Sequence, residues 1–182
     1  MTVLKQAETA KDGDKRAQPA ERRALVLRAL RDVVGFDHLR DDPITLERYA
    51  RSTAARSTVP LAVVYPGSQA EVAALVRVAA RHQIAVYPIS TGKNWGYGDA
   101  CAVTSGQLVI ELSRMNRIVT VEPILAYAVI EPGVTQQQLS QYLLDHKLDL
   151  WIDCTGAGVV GSALQGHLRP CPGPHRPGDP GR

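Results

Sequence analysis

The residues best suited to chemistry form one glycine-rich loop, Ser90–Gly98, with the sequence STGKNWGYG. Its three glycines lack a Cβ, so the backbone can adopt positive φ and a ligand can approach the main chain closely. Successive amides in such a turn can converge on an anion. Polar side chains in the loop add donors or a positive charge: Ser90, Thr91, Lys93 and Asn94. The pattern suits a diphosphate, although a glycine-rich turn that binds nothing is equally compatible with these residues alone.

The loop matches neither of the two common phosphate-binding motifs. It is not a Walker A loop, because Lys93 follows the first glycine instead of the last. It is not a dinucleotide-binding G-x-G-x-x-G motif either, because the residues after Gly98 are typical of a loop and a strand, not of a helix. A P-loop NTPase and an ordinary NAD-binding Rossmann domain are therefore disfavoured.

The elements around the loop predict an α+β fold. The apolar runs Leu61–Tyr65 and Ile84–Ile89 are typical of buried strands, and Ser68 and Glu71 form a capping box for a helix between them that ends near His82. This order predicts a parallel pair of strands with a helix on one face. Three strands, a helix capped by Thr135 and Gln138, and a last strand are predicted to follow: Leu108–Leu112, Ile118–Val121, Ala126–Ile130 and Leu148–Ile152. Strands that follow one another, instead of alternating with helices, favour α+β.

The chain divides into four predicted segments. Residues 1–18 are charged and without periodicity, which predicts a disordered arm. Residues 19–60 form a helical segment, with one helix from Pro19 to Gly35 and a connector with one short helix. Residues 61–165 carry the strands and the loop. Residues 166–182 are predicted to be a disordered tail without strand or helix, because eight of the last fifteen residues are proline or glycine.

Composition excludes several function classes. The net charge of +3 is too small and dispersed to indicate nucleic-acid binding. No apolar run is long enough for a membrane span, and the N-terminus has no apolar signal region. The three cysteines match neither a disulfide framework nor a metal site, so a cytoplasmic location is expected.

Separated motifs carry a family resemblance. They are PISTGKNWGYG at Pro88–Gly98, LSRMNRI at Leu112–Ile118, AVIEPGVT at Ala128–Thr135 and VVYPGSQAEV at Val63–Val72. In this order they resemble the FAD-binding PCMH-type domain of the vanillyl-alcohol oxidase and p-cresol methylhydroxylase flavoproteins. The resemblance runs from about Leu61 to Gly161 and implies the N-terminal part of that fold, a mixed sheet with flanking helices.

The resemblance also implies which residues bind FAD. Those that would cradle the pyrophosphate, largely through backbone amides, are Thr91, Gly92, Lys93, Asn94, Trp95 and Gly96, with Ser90 and Tyr97 beside it. Those that would lie beside the adenosine half are Glu131, Pro132, Gly133 and Val134. Gly161 matches a segment that wraps the flavin end, where Ser162 replaces the asparagine of the family.

The implied activity is that of an FAD-dependent oxidoreductase of the 4-cresol dehydrogenase (hydroxylating) and vanillyl-alcohol oxidase type. Such an enzyme oxidises a para-hydroxylated benzylic carbon by hydride transfer to flavin, with a small phenolic substrate and oxygen or a cytochrome c as acceptor. The substrate-binding cap of the family has no counterpart here, so no catalytic residue is assigned. The chain is expected to be an inactive fragment, with its reading frame shifted after Gly161.

Two alternatives remain open. One is a non-catalytic FAD- or nucleotide-binding remnant without turnover. The other is a flavoprotein of the same fold that acts on a 2-hydroxy acid or a sugar nucleotide, against which the STGKNWGYG string argues.

Overall fold

The structure is a computed structural model that describes residues 19–52, 57–93, 100–154 and 166–170. In chain order its elements are α1 (Pro19–Val34), a 3-10 turn (Phe36–His38), β1 (Leu39–Arg40), α2 (Pro43–Ala50), β2 (Ala62–Val64), α3 (Gln69–Arg81), β3 (Val86–Ile89), β4 (Leu108–Glu111), β5 (Ile118–Glu122), β6 (Tyr127–Ile130), α4 (Gln136–Asp145), β7 (Leu150–Cys154) and β8 (Gly166–Pro170). This combination of helices with a mixed sheet confirms the α+β class. The predicted arm, residues 1–18, lies outside the described residues.

The main sheet has the strand order β1-β2-β4-β3. Strands β2 and β3 are both parallel to β4, and β1 is antiparallel to β2. The predicted parallel direction is therefore right, but the expectation that β2 and β3 pair with each other is wrong, because β4 lies between them. Leu108 and Val109 on β4 are both fully buried, which suits a central strand. Pro88 on β3 has no backbone amide, a lack that an edge strand tolerates.

Helices α1 and α3 cover one face of this sheet. Leu30 and Leu75 are fully buried there, in one core cluster with Val64 and Ile110 of the strands. Helix α3 begins as the sequence predicts, because the Ser68 hydroxyl accepts a hydrogen bond from the Glu71 amide at 3.2 Å. The opposite face packs against α2 and the segment around Ala102.

The remaining elements form a second unit with its own core. Strands β5 and β6 make an antiparallel hairpin, and β7 pairs antiparallel with β8. Val134 and Leu139, the latter on α4, are buried in this core, with Ile130 of β6 and Ile152 of β7 packed against them. Thr135 caps α4 as predicted, accepting a hydrogen bond from the Gln138 amide at 3.1 Å.

Strand β8 corrects the prediction that no strand runs through the proline-rich end. Its five residues pair with β7 from Leu150 to Cys154. Leu168 packs against the core of the second unit, and Arg169 forms a 2.7 Å ion pair with Asp153 across the two strands. Pro170 is tolerated because it is the last residue of the strand. The rest of the predicted tail, residues 171–182, lies outside the described residues.

Candidate functional site

Three loops meet at one edge of the main sheet, where the parallel strands β2, β3 and β4 end. They are residues 65–68, 90–93 and 112–115, and each follows its strand directly. The carboxyl ends of parallel strands are the edge at which open α/β sheets bind ligands. The glycine loop singled out by sequence thus begins at this edge.

The start of the glycine loop has the backbone conformation that its sequence predicts. Gly92 has a φ of 69°, and a Cβ at this position would lie 3.2 Å from the Ala100 Cβ and 3.3 Å from the Ile89 Cδ1. Beside it, the Thr91 hydroxyl oxygen is buried and has no hydrogen-bond partner among the described residues. Because a buried hydroxyl without a partner costs about 1–3 kcal/mol, Thr91 is suited to bind an external acceptor. The Lys93 side chain is exposed.

Ser90 joins the glycine loop to two other segments, the turn after β4 and the turn at residues 131–134. Its hydroxyl donates a hydrogen bond to the Pro132 carbonyl, and its own carbonyl accepts one from the Leu112 amide at 3.2 Å. The family resemblance implies that Ser90 and Pro132 belong to the same site. Their direct contact, across a separation of 42 residues, has no local sequence signal.

Gly133 is held tightly against the turn after β4. Its amide donates to the Met115 carbonyl at 2.7 Å. A Cβ on Gly133 would lie 2.5 Å from the Leu112 carbonyl oxygen, 2.7 Å from that of Ser113 and 2.8 Å from that of Met115. Only glycine fits this space, so the motifs LSRMNRI and EPGV form two sides of one contact.

The turn after β2 is held against the same segment by Arg114. The Arg114 guanidinium donates to the Tyr65 carbonyl at 2.6 Å and lies 3.8 Å from a carboxylate oxygen of Glu71. That carboxylate also accepts a hydrogen bond from the Gly67 amide at 2.8 Å. A Cβ on Gly67 would lie 2.8 Å from a guanidinium nitrogen of Arg114. The other two loops at this edge are thus tied to residues 112–115.

The side chains of Glu131 and Val134 contribute to the fold. The Glu131 carboxylate accepts hydrogen bonds from the Arg117 amide at 2.8 Å and from the Arg117 guanidinium at 2.7 and 3.0 Å. These bonds hold the pKa of Glu131 below its ordinary value of 4.5 and raise the pKa of Arg117. Val134 is fully buried beside Leu139. Ligand contacts predicted for these two residues would therefore come from their backbone.

One buried amide near this turn was missed by sequence reasoning. Gln136, the first residue of α4, is 8% exposed, and its side-chain nitrogen has no hydrogen-bond partner in the described part of the chain. Helical spacing in the sequence could have identified Gln136 as buried, because Gln136, Leu139 and Leu143 share one face of the helix.

A cluster of polar side chains lies on the α2 side of the sheet, near the carboxyl ends of β2 and β4. The Tyr49 hydroxyl donates a hydrogen bond to the Glu111 carboxylate and lies 2.9 Å from the Tyr65 hydroxyl. The Arg48 guanidinium donates a hydrogen bond to the Tyr49 hydroxyl at 3.0 Å. Burial raises the pKa of both tyrosines. Tyr49 belongs to the same core cluster as Ile89, the residue whose Cδ1 would lie 3.3 Å from a Cβ on Gly92. No local pattern in the sequence signals this cluster.

Six predicted site residues lie outside the described residues: Asn94, Trp95, Gly96, Tyr97, Gly161 and Ser162. In the described part of the chain, no group of three metal-ligating side chains comes together. Within the same residues, none of the helices combines the length and the apolar character that crossing a bilayer requires.

The described site residues fit an anionic ligand that enters from the strand ends. The buried hydroxyl of Thr91 offers one donor, and the positive φ of Gly92 lets the backbone approach a bulky group. The exposed Lys93 ammonium adds a positive charge. A diphosphate matches this set of donors better than a neutral or cationic group does.

Comparison with known proteins gives a consistent result. Residues 60–171 match the FAD binding domain family. A 1'-carboxy-chondrochloren decarboxylase of Chondromyces crocatus is 46% identical over 152 residues, which are 80% of this chain and 27% of that relative. The flavoprotein subunit of 4-cresol dehydrogenase [hydroxylating] of Pseudomonas putida is 35% identical over 109 residues, 58% of this chain and 21% of the subunit.

Among solved structures, p-cresol methylhydroxylase with substrate bound superimposes with a TM-score of 0.76 at 27% identity, covering 83% of this chain and 30% of that one. The chain thus spans less than a third of the length of each of these three proteins. The resemblance inferred from the motifs is confirmed.

Proposed function

Because the chain belongs to the family of FAD binding domains, we propose that the carboxyl edge of its parallel sheet holds the diphosphate of FAD. The observation that carries the proposal is the buried hydroxyl of Thr91, which has no hydrogen-bond partner among the described residues and lies beside Gly92, a residue of positive φ. A phosphate oxygen would supply the missing acceptor, and the exposed Lys93 would balance its charge.

The proposed binding residues fall in three segments of the chain. Residues 91–96 hold the diphosphate, largely through backbone amides, with Ser90 and Tyr97 beside it. The turn at residues 131–134 lies beside the adenosine half. Gly161 and Ser162 lie toward the flavin end.

Titration of the purified chain with FAD and with ADP tests this site. Thr91→Val removes the hydroxyl at nearly constant shape, and we expect it to weaken FAD binding roughly 10-fold or more, because a hydrogen bond to a charged group contributes about 1.5–3 kcal/mol. Thr120→Val, an exposed position on β5, is the matched control and should bind as wild type does. Absence of FAD binding by the wild-type chain, or equal affinity of Thr91→Val and wild type, would contradict the proposal.

For the whole protein, we propose oxidation of a benzylic carbon para to a phenolic hydroxyl. The support is the similarity to the 4-cresol dehydrogenase subunit and to p-cresol methylhydroxylase. Bound FAD supplies the hydride acceptor, and the residues of this chain bind and orient it. Reoxidation by oxygen or by a cytochrome c partner belongs to the same proposal, as does a cytoplasmic location, which the free, buried Cys101 supports.

We propose that the 182-residue chain alone binds FAD without turning over substrate. The test is to add 4-alkylphenols and 4-hydroxybenzyl alcohols to the FAD-loaded chain and to follow flavin absorbance with and without an artificial electron acceptor. Unchanged absorbance is expected, and bleaching of the flavin would contradict this part of the proposal.

A second candidate reaction is decarboxylation of a carboxylated aromatic compound. The observation that favours it is the 46% identity to the chondrochloren decarboxylase, which exceeds the identity to the cresol dehydrogenase subunit. Release of labelled carbon dioxide from a carboxylated phenol would support it. The same phenol without the carboxylate distinguishes this reaction from benzylic oxidation.

A further inference from the structure

We propose that Ser90 is a positioning residue, whose hydroxyl fixes residues 90–93, the described start of the glycine loop, to the turn at residues 131–134 and so sets the spacing between two contact points of one dinucleotide. The inference rests on the proposed FAD site and deepens it. It gives Ser90 a role different from that of a phosphate ligand.

The two segments that Ser90 joins belong to different units of the fold. The glycine loop follows β3 of the main sheet. The two hydrophobic cores of this first unit lie on the two faces of that sheet. The turn at residues 131–134 belongs to the second unit, where Val134 lies in a separate core. Among the described helices and strands, the extensive contacts lie within each unit. The relative position of loop and turn therefore depends on contacts between segments outside the helices and strands.

Ser90 makes the contact that joins these segments directly. Its hydroxyl donates to the Pro132 carbonyl, while its own carbonyl accepts a hydrogen bond from the Leu112 amide at 3.2 Å. The Gly133 amide, next in the chain, donates to the Met115 carbonyl at 2.7 Å. These three hydrogen bonds connect the loop to residues 112–115, residues 112–115 to the turn, and the turn back to the loop. The bond from the Ser90 hydroxyl is the one that closes this ring.

The Ser90 hydroxyl cannot both hold the turn and donate to a phosphate, because a hydroxyl has only one hydrogen. A serine hydroxyl has one hydrogen to donate, and that of Ser90 is directed to the Pro132 carbonyl. It therefore has no hydrogen left for a phosphate oxygen. The neighbouring Thr91 hydroxyl has no such partner among the described residues, so the two adjacent side chains are suited to different roles.

A ligand that contacts both segments should depend on Ser90, and one that contacts only the loop should not. ADP carries a diphosphate and an adenosine, whereas inorganic pyrophosphate carries only the former. We expect Ser90→Ala to weaken ADP binding about three- to tenfold, the effect of one hydrogen bond, and to leave pyrophosphate binding within about twofold of wild type. Thr91→Val should weaken both ligands together.

The experiment is calorimetric titration of the full chain and its variants with ADP and with pyrophosphate. Ser90→Thr keeps a hydroxyl and should restore ADP affinity, and Ser140→Ala, at an exposed position on α4, is the matched control. If Ser90→Ala does not fold, Ser90→Cys, which keeps a weaker donor of similar shape, serves in the same comparison.

The outcomes separate this inference from the proposed function. If wild type binds neither ADP nor FAD, the proposed site is wrong. If wild type binds ADP and Ser90→Ala binds it equally well, or loses ADP and pyrophosphate by the same factor, positioning by Ser90 is overturned. A selective loss of ADP that Ser90→Thr restores supports it.

Discussion

Replacing Gly133 with alanine should destabilise the chain strongly, because the added methyl group would meet backbone on three sides. The new Cβ would lie 2.5, 2.7 and 2.8 Å from the carbonyl oxygens of Leu112, Ser113 and Met115. All three distances are too short for carbon and oxygen in contact, and main-chain carbonyls cannot rotate away as a side chain does. The turn at residues 131–134 would have to move away from the turn after β4.

The expected cost is about 3 kcal/mol in the free energy of unfolding. Overpacking of this kind typically costs about 1–3 kcal/mol, and the rigid obstacle places Gly133 near the upper end of that range. Weakening of the 2.7 Å hydrogen bond from the Gly133 amide to Met115 adds to it. For a domain of this size, about 3 kcal/mol corresponds to a fall of roughly 6–12 °C in Tm.

Thermal unfolding followed by circular dichroism measures this cost, with Gly67→Ala as the matched control. A Cβ on Gly67 would also lie 2.8 Å from its nearest neighbour, but that neighbour is the end of the flexible Arg114 side chain. We expect Gly67→Ala to cost about 1 kcal/mol, the net value of the hydrogen bond that Arg114 donates to Tyr65. If Gly133→Ala melts at or above the temperature of Gly67→Ala, the reasoning from the carbonyl contacts is wrong.

Three further predictions concern the site and its support. Gly92→Val should weaken FAD binding at least tenfold, because a β-branched residue is strained at a φ of 69°, and unchanged affinity in an FAD titration would remove the loop from the site. The bonds from Arg117 lower the pKa of Glu131 in the folded state, so their stabilisation is present above pH 4.5 and is lost as the pH falls through the folded pKa. The Tm difference between wild type and Glu131→Gln should therefore be largest at pH 7 and should shrink as the pH falls below the folded-state pKa of Glu131. A difference that stays constant with pH would argue against the ion pair. Tyr49→Phe deprives the Glu111 carboxylate of a donor and should cost about 1–3 kcal/mol in urea unfolding, so wild-type stability would show that the cluster does not hold α2.

Local features of the fold were predictable because each depends on residues close together in sequence. Ser68 and Thr135 cap α3 and α4 through bonds to amides three residues ahead. The apolar runs of β2 and β4 identify buried strands. By contrast, the two-residue strand β1 is too short to show periodicity, and the place of β4 between β2 and β3 depends on pairing between distant segments.

At the candidate site, the sequence predicted the conformation of Gly92 but not the contacts between segments. The need for glycine at position 92 follows from the motif and agrees with its positive φ. The bond from Ser90 to Pro132 and the ion pair of Arg117 with Glu131 join residues without a shared local pattern. The same limit explains the unexpected strand β8, since composition disfavours it and only pairing with β7 stabilises it.

The central position of β4 sets an order of events during synthesis on the ribosome. Strand β3 ends at Ile89, and among the described strands it pairs only with β4, so it has no such partner until Leu108–Glu111 has left the exit tunnel. At about 5–20 residues per second, the ribosome takes on the order of one to four seconds to add residues 90–111. During that interval the buried apolar run at residues 62–64 has, among the described strands, only β1 to pair with. A nascent chain stalled before residue 108 would therefore be a substrate for chaperones, and one stalled well after residue 111 would not.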